Sequence, residues 1–377
     1  QGNVMKYLAT SFVFCCSFPA ALFSVELSEP LRMVGTKVTV NKDGSTSVHF
    51  VVPRPPSGPF GQPVFDPNYK PPPPVTAQHL AEVAKLPKLH ALKLSGVPLK
   101  ASVTDILGVL AEAKELRRLD LTMVRGVTDE SLGLIVGLSA LEDLSLDNCR
   151  SVTNRGLSHV AKLKNLRSVN LVSTQVDDAG LVVLANARNL ESLNLNFTKV
   201  RGSGLVHLAG LPKLGSITLN PNRNTADKTQ IDLSPFGKGF PALHSLRVGG
   251  NRITDAHLAS LANLKNLQAL TFRTLGFTQI TDAGLAAVSN FPNLRELRIN
   301  GSVKVTDAGV AHLGKLKNLE KLDLGRTRIS SASALILGKL PSLKELEVVG
   351  SGFGPDGIQT LRKLNPKVRV TLHRPVY

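Results

Sequence analysis

The residues that could carry chemistry are few, and their spacing is regular. His159, His207 and His312 fall at one place in different copies of a repeating stretch. Repetition accounts for them, and copies two or more apart are too distant to share a metal ion. Thr and Asp stand together in the turns Val127-Thr128-Asp129, Val152-Thr153-Asn154, Val176-Asp177-Asp178, Ile253-Thr254-Asp255, Ile280-Thr281-Asp282 and Val305-Thr306-Asp307. A hydroxyl or carboxylate at the start of a helix satisfies its free N–H groups and suits its dipole, so these pairs read as caps and not as acid/base dyads. Cys149 belongs to the same pattern and reads as a packed turn residue rather than a nucleophile. Cys15 and Cys16 are adjacent, so the three cysteines build no disulfide framework. There is no phosphate-cradling Gly-rich loop with its Lys and no close Cys/His zinc spacing. The sequence makes no case for an enzyme, and it implies no cofactor and no metal.

What positions these residues is a repeat. Runs of the form L-x-x-L-x-L begin at Leu89, Leu116, Leu141, Leu166, Leu190, Leu214, Leu243, Leu267, Leu294, Leu319 and Leu343. Most successive starts are 24 to 27 residues apart, and the step from Leu214 to Leu243 is 29. Each copy continues through a turn into an apolar helical stretch, so the period predicts one strand and one helix per repeat. In Leu116, Leu119 and Leu121 the leucines face inward, while Arg118, Asp120 and Thr122 face out. A single strand and helix cannot bury that face alone, so neighbours must stack, with parallel strands on the inner arc and bulkier helices on the outer one.

The run Leu144-x-Leu146-x-x-Cys149-x-x-Val152-Thr153-Asn154-x-Gly156-Leu157 carries a resemblance. Residues from about 76 to 364 resemble leucine-rich repeat proteins, and most closely the cysteine-containing repeats of F-box substrate receptors. In other repeats the cysteine is replaced, as by Thr174 and Thr198. The resemblance implies an α/β leucine-rich repeat solenoid of about eleven repeats, and a protein-binding role such as that of a ubiquitin-ligase substrate receptor. Residues 1–85 show no F-box-like helices, so the ligase role is not inherited with the repeats.

Four segments precede or make up this array. Residues 1–30 are apolar, with an uncharged stretch over 7–25 that reads as a buried arm, a membrane anchor or a signal. Residues 31–52 alternate around Asn41-Lys42-Asp43-Gly44, which predicts a β-hairpin able to cover the open end of the stack. Residues 53–75 are a Pro-rich, polyproline-like linker. Residues 76–377 are the solenoid, closed by a last strand around 368–372.

Charge bears on partners. The net charge is +17 with a pI near 10, and residues 1–85 contribute only +2 of it. The basicity therefore belongs to the repeats and points to an acidic partner, RNA phosphates or an acidic protein. Two surfaces are expected. The concave face presents Asn170, Asn194, Asn196, Thr218, Asn220, Arg247, Arg273 and Arg298 to a protein partner. The edge where helices hand over to strands gathers Lys162, Lys164, Arg167, Lys213, Lys265, Lys315, Lys317 and Lys339 toward phosphate or an acidic partner. Aromatic residues are too sparse there for base stacking, so RNA contacts would be to the backbone. The irregular repeat 220–240 adds Arg223, Lys228 and Lys238 as a candidate binding loop. Together these features read as a non-catalytic scaffold, an accessory subunit of a large assembly such as a mitochondrial ribosome or another organellar ribonucleoprotein. The alternatives are the substrate receptor and a membrane-anchored or secreted binding protein.

Overall fold

The computed structural model describes residues 27–50, 73–221, 231–250, 253–273 and 278–372. The apolar stretch 7–25, most of the Pro-rich linker, Arg223 and Lys228 lie outside the described residues.

A single 14-stranded sheet runs the length of the molecule in strictly sequential order. It opens with β1 (Thr36–Val40) and β2 (Thr46–Phe50), an antiparallel hairpin preceded by the short helix α1 (Glu29–Met33). The turn is held by Asp43, which accepts from the Ser45 N–H and hydroxyl, and by Gly44 at a positive φ of 79°. β2 then pairs in parallel with β3 (Leu89–Lys93), so the hairpin continues the repeat sheet and covers its first strand.

Eleven further parallel strands follow: β4 (Arg118–Asp120), β5 (Asp143–Ser145), β6 (Ser168–Asn170), β7 (Ser192–Asn194), β8 (Ser216–Leu219), β9 (Ser245–Gly249), β10 (Ala269–Arg273), β11 (Glu296–Arg298), β12 (Lys321–Asp323), β13 (Glu345–Glu347) and β14 (Arg369–Thr371). Their central apolar residues stand in register from Leu92 through Leu119, Leu144, Val169, Leu193, Ile217, Leu246, Leu270, Leu297 and Leu322 to Leu346. All of them are buried, which is the continuous core that the repeated L-x-x-L-x-L requires.

The outer side is not uniformly α-helical. α2 (Ala77–Ala84), α3 (Val103–Leu110), α4 (Asp129–Leu132), α5 (Asn154–Val160), α6 (Asp255–Ser260), α7 (Asp282–Val288), α8 (Asp307–Leu313), α9 (Ala334–Leu337) and α10 (Pro355–Leu364) are α-helices. Asp178–Asn186 and Ser203–Leu208 are 3₁₀. They lie in the two repeats that start at Leu166 and Leu190, each 24 residues long. A 3₁₀ segment advances about 2.0 Å per residue against 1.5 Å for an α-helix, but repeat length alone does not select it, since the 24-residue repeat that starts at Leu243 carries the α-helix α6.

Two features join one repeat to the next. The Thr of each cap behaves as its sequence suggests: Thr153, Thr281 and Thr306 accept from the N–H two residues on. The Asp beside it does something else. Asp129 accepts from the N–H and hydroxyl of Thr153 in the next repeat; Asp255 does the same for Thr281 and Asp282 for Thr306. A glycine in the following repeat is required by this clamp, because a Cβ at Gly156, Gly284 or Gly309 would collide with the clamping carboxylate of the preceding repeat. A second ladder lies at the edge, where Asn165, Asn189, Asn266, Asn293 and Asn318 each donate to a carbonyl one repeat earlier at 2.8 to 3.0 Å.

The turn after most of the described strands holds one residue in the left-handed region: Met123, Asn148, Ser173, Phe197 and Arg326 have φ between 54° and 61°, and Gly301 and Gly350 fill the same place elsewhere. Their N–H groups keep the inter-repeat bonding going, as from Met123 to the Asp147 carbonyl at 2.8 Å. Met123 is 60% exposed and gains little from packing. Met123→Gly is therefore expected to raise stability by about 0.5 kcal/mol, the left-handed cost relieved less the entropy that glycine adds to the unfolded chain. Urea midpoints of the two proteins at unchanged m-value measure it.

The irregular repeat is partly core. Residues 231–240 re-enter the stack: Ile231, Leu233, Phe236 and Phe240 are buried, and Ser234–Lys238 forms a 3₁₀ turn. The stretch lacks helical periodicity because two aromatic rings, 4.9 Å apart, replace the usual helix leucines. Of the three binding-loop residues Lys238 is the one within the described residues, and it is exposed at the end of that turn.

Candidate functional site

On every parallel strand from β4 on, the residues either side of the buried one face the inner arc. In the middle of the arc these are small and uncharged, Arg247 apart. Ser168, Ser192, Ser216 and Ser245 stand in one row. Ser145, Asn170, Asn194, Thr218 and Arg247 stand in the next. Asn170 and Asn194 commit part of their capacity to the fold: each side-chain oxygen accepts from the N–H two residues on, and the Asn170 amide donates to Ser145. Asn196 and Asn220 belong to the rim after the strands rather than to the floor. Their side-chain oxygens are buried without a hydrogen-bond partner, and that of Asn220 occupies the space a Cβ at Gly249 would need. Arg273 ends β10, and its side chain lies outside the described residues.

Either side of this floor, charges pair among themselves. Toward the N-terminus, Arg117, Glu142, Arg167 and Glu191 alternate along the edge with contacts of 3.4, 3.7 and 2.8 Å, and Arg118 meets Asp143 at 2.8 Å. Toward the C-terminus, Glu320 lies between Arg295 (2.8 Å) and Lys344 (2.6 Å). Glu345 lies between Lys321 (3.4 Å) and Arg369 (2.7 Å). Arg298 is held by Glu296 at 2.6 Å and Glu347 at 3.0 Å. Exposed pairs of this kind add little stability, but they neutralise the cations involved. The corresponding edge residues before β8, β9 and β10 are Gly215, His244 and Gln268, which carry no such pair among the described residues. The signal is present in the sequence, because the residue before each strand alternates in sign from Arg117 through Glu142 and Arg167 to Glu191.

The basic edge divides accordingly. Arg167 serves the ladder, and its hydrogen bond to Glu191 raises its pKa above the ordinary arginine value. Lys213 donates to Asn189 at 2.8 Å, and Lys317 caps the end of α8 through the Gly314 carbonyl at 3.0 Å. Lys162, Lys164, Lys265, Lys315 and Lys339 remain exposed with no ion pair among the described residues. Arg117, Ala140, Glu142, Asn165, Arg167, Asn189 and Lys213 line an open hollow of about 450 Å³ on this edge.

Two buried groups show what the fold tolerates. Cys149 is buried and donates to the Leu121 carbonyl, and burial pushes its thiol up to about 12, so it is not a thiolate at neutral pH. Asp323, on the inner face beside Arg298, is raised by burial and by Glu347 against the opposing bond from Gly325 N–H. A carboxyl raised in the fold destabilises it once ionised, and the cost disappears as pH falls below the ordinary value of 3.8. Asp323→Asn keeps the acceptor for Gly325 and is expected to raise Tm at pH 7, with the gain vanishing near pH 3. Among the described residues no group of His, Cys, Asp and Glu is placed to hold a metal ion, and no helix is long and apolar enough to cross a membrane.

Stacked strand–helix repeats around a leucine ladder define a leucine-rich repeat solenoid. Residues 162–185 and 186–209 match the family model described as Leucine Rich repeat. No curated protein matches the chain. Among solved structures, an internalin of Listeria monocytogenes is similar at 21% identity over 78% of this chain and 88% of its own, with a TM-score of 0.54. A chain of the Rad7 and Elc1 complex of yeast is similar at 18% identity over 79% of each chain, with a TM-score of 0.52. At these identities the likeness is one of fold.

Proposed function

We propose that this protein is a non-catalytic interaction scaffold that receives a partner protein on the central concave floor. The observation that carries this reading is the contrast along the arc. The flanks pair their charges with each other, whereas the middle offers small hydroxyls and amides around Arg247, which is unpaired among the described residues. Such a floor suits hydrogen bonding to a partner without the desolvation cost of breaking ion pairs. A tyrosine at the half-buried Ser216 would stand over that floor and obstruct a partner there. Ser216→Tyr is expected to abolish partner recovery in native purification followed by mass spectrometry while leaving circular dichroism and Tm unchanged. Undiminished recovery would end the concave reading.

The wider setting proposed is an accessory place in a large assembly, an organellar ribonucleoprotein being the leading case because of the +17 charge. The exposed edge lysines support it. Salt-sensitive co-sedimentation with an RNA-containing particle, lost on RNase treatment, is the expected result; free monomer under all conditions would exclude it.

A further inference from the structure

Six cations stand on the inner face of strands β3 to β14, Arg273 apart. Five have an internal carboxylate: Lys93 faces Asp120 at 3.9 Å, Arg118 pairs with Asp143, Arg298 with Glu296 and Glu347, and Lys321 and Arg369 with Glu345. The sixth is Arg247. It is exposed, and it has no ion pair or side-chain hydrogen bond among the described residues. Its register neighbours on β8 and β10 are Thr218 and Thr271, neither long enough to cover a guanidinium. The Thr271 hydroxyl is itself without a hydrogen-bond partner.

We propose that Arg247 is the anchor of this floor and takes a carboxylate from an acidic segment of a partner protein. This rests on the concave reading given above and specifies the chemistry of what binds there. A guanidinium offers a planar pair of donors that matches a carboxylate, and such bonds are among the strongest available at a surface. The five other cations show that this sequence gives its inner-face charges a partner. At Arg247 that partner is left to come from outside. The rest of the arc selects a protein over a nucleic acid. Elsewhere on the inner face, among the described residues, the cations are already paired, with Asp120 and Asp143 toward the N-terminus and with Glu296, Glu347 and Glu345 toward the C-terminus, so a phosphate chain running along the arc would find no row of free cations there. A single carboxylate delivered between these paired stretches needs only the one free guanidinium.

The test uses the full chain and a fluorescein-labelled peptide of alternating Glu and Ser, read by fluorescence polarisation near 0.1 M salt. Arg247→Ser should weaken binding about tenfold or more. Arg118→Ser, which removes a cation already paired, and Lys265→Ser, on the outer edge, should leave it unchanged. Ser216→Tyr separates the two readings: if it abolishes binding while Arg247→Ser does not, the floor binds and Arg247 is not its anchor. If Lys265→Ser weakens binding as much as Arg247→Ser, the contact is diffuse and the anchor is refuted. Displacement of the peptide from the Arg247 site by a single-stranded oligonucleotide of equal charge would assign the site to nucleic acid and also overturn the proposal.

Discussion

Gly180→Ala is expected to cost about 3 kcal/mol, an unusual penalty for adding one methyl group on the convex side of a repeat. The three atoms nearest to a new Cβ all belong to Asn154 of the preceding repeat. That side chain donates to the Asp177 carboxylate at 2.7 Å and accepts from the Asp177 N–H at 3.1 Å, and Asp177 in turn caps the following 3₁₀ segment through Ala179 and Gly180 N–H. The methyl group therefore displaces a clamp as well as crowding it. Two comparisons isolate the cause. Gly108 lies inside α3 with open space around its missing Cβ. Gly108→Ala should stabilise the protein by up to about 1 kcal/mol through helix propensity alone. Combining Gly180→Ala with Asn154→Ala should cost less than the sum of the two single changes, since the residues share one contact. Additive losses in urea denaturation would show that crowding at Asn154 is not the mechanism.

The same clamp marks the limit of what the sequence discloses. The leucine ladder is legible because its period and its burial have one cause, the need of each repeat to be covered by the next. The Thr caps are legible because donor and acceptor lie within three residues. The Asp of Thr-Asp is not, because its acceptor role is discharged 24 to 26 residues later, as between Asp129 and Thr153 or Asp255 and Thr281. Read locally, that Asp is a second cap; read in the stack, it is a tie between repeats. The concave face shows the same division. The polar floor can be read from strand alternation, but Asn170 and Arg298, both on the arc, do not share one fate. Asn170 closes its own turn, while Arg298 is enclosed by Glu296 and by Glu347 two strands away. The sequence overstates the basic edge for a like reason. A roll of lysines and arginines omits the glutamates that the next repeat brings beside them, and Arg167 between Glu142 and Glu191 is where that omission matters most.

Phe236→Ala should be the most disruptive change in the irregular repeat, at about 4 kcal/mol. The ring is fully buried and packs against Phe240 at 4.9 Å with the planes tilted by 46°. These two rings take the place of a whole helix where the chain needs 29 residues between leucine starts. His257 of the next repeat reaches back to the same segment, with one ring nitrogen 3.0 Å from the Ile231 carbonyl and the other taking the Thr254 N–H. The consequence extends beyond the energy. In a linear array each repeat is stabilised by its two neighbours, so the weakest junction decides whether the molecule unfolds in one step or two. Excavating Phe236 weakens the contact between the repeats built on β8 and β9, near the middle of the solenoid. Thermal unfolding of the variant followed by both circular dichroism and calorimetry is expected to resolve two transitions, with a calorimetric enthalpy exceeding the van't Hoff value. Leu313→Ala, an equally buried change inside a regular repeat, should lower Tm by a similar free energy and yet leave a single transition. If both variants unfold in one step, the coupling across the irregular repeat is as strong as elsewhere, and the two aromatic rings are filling space without acting as the junction.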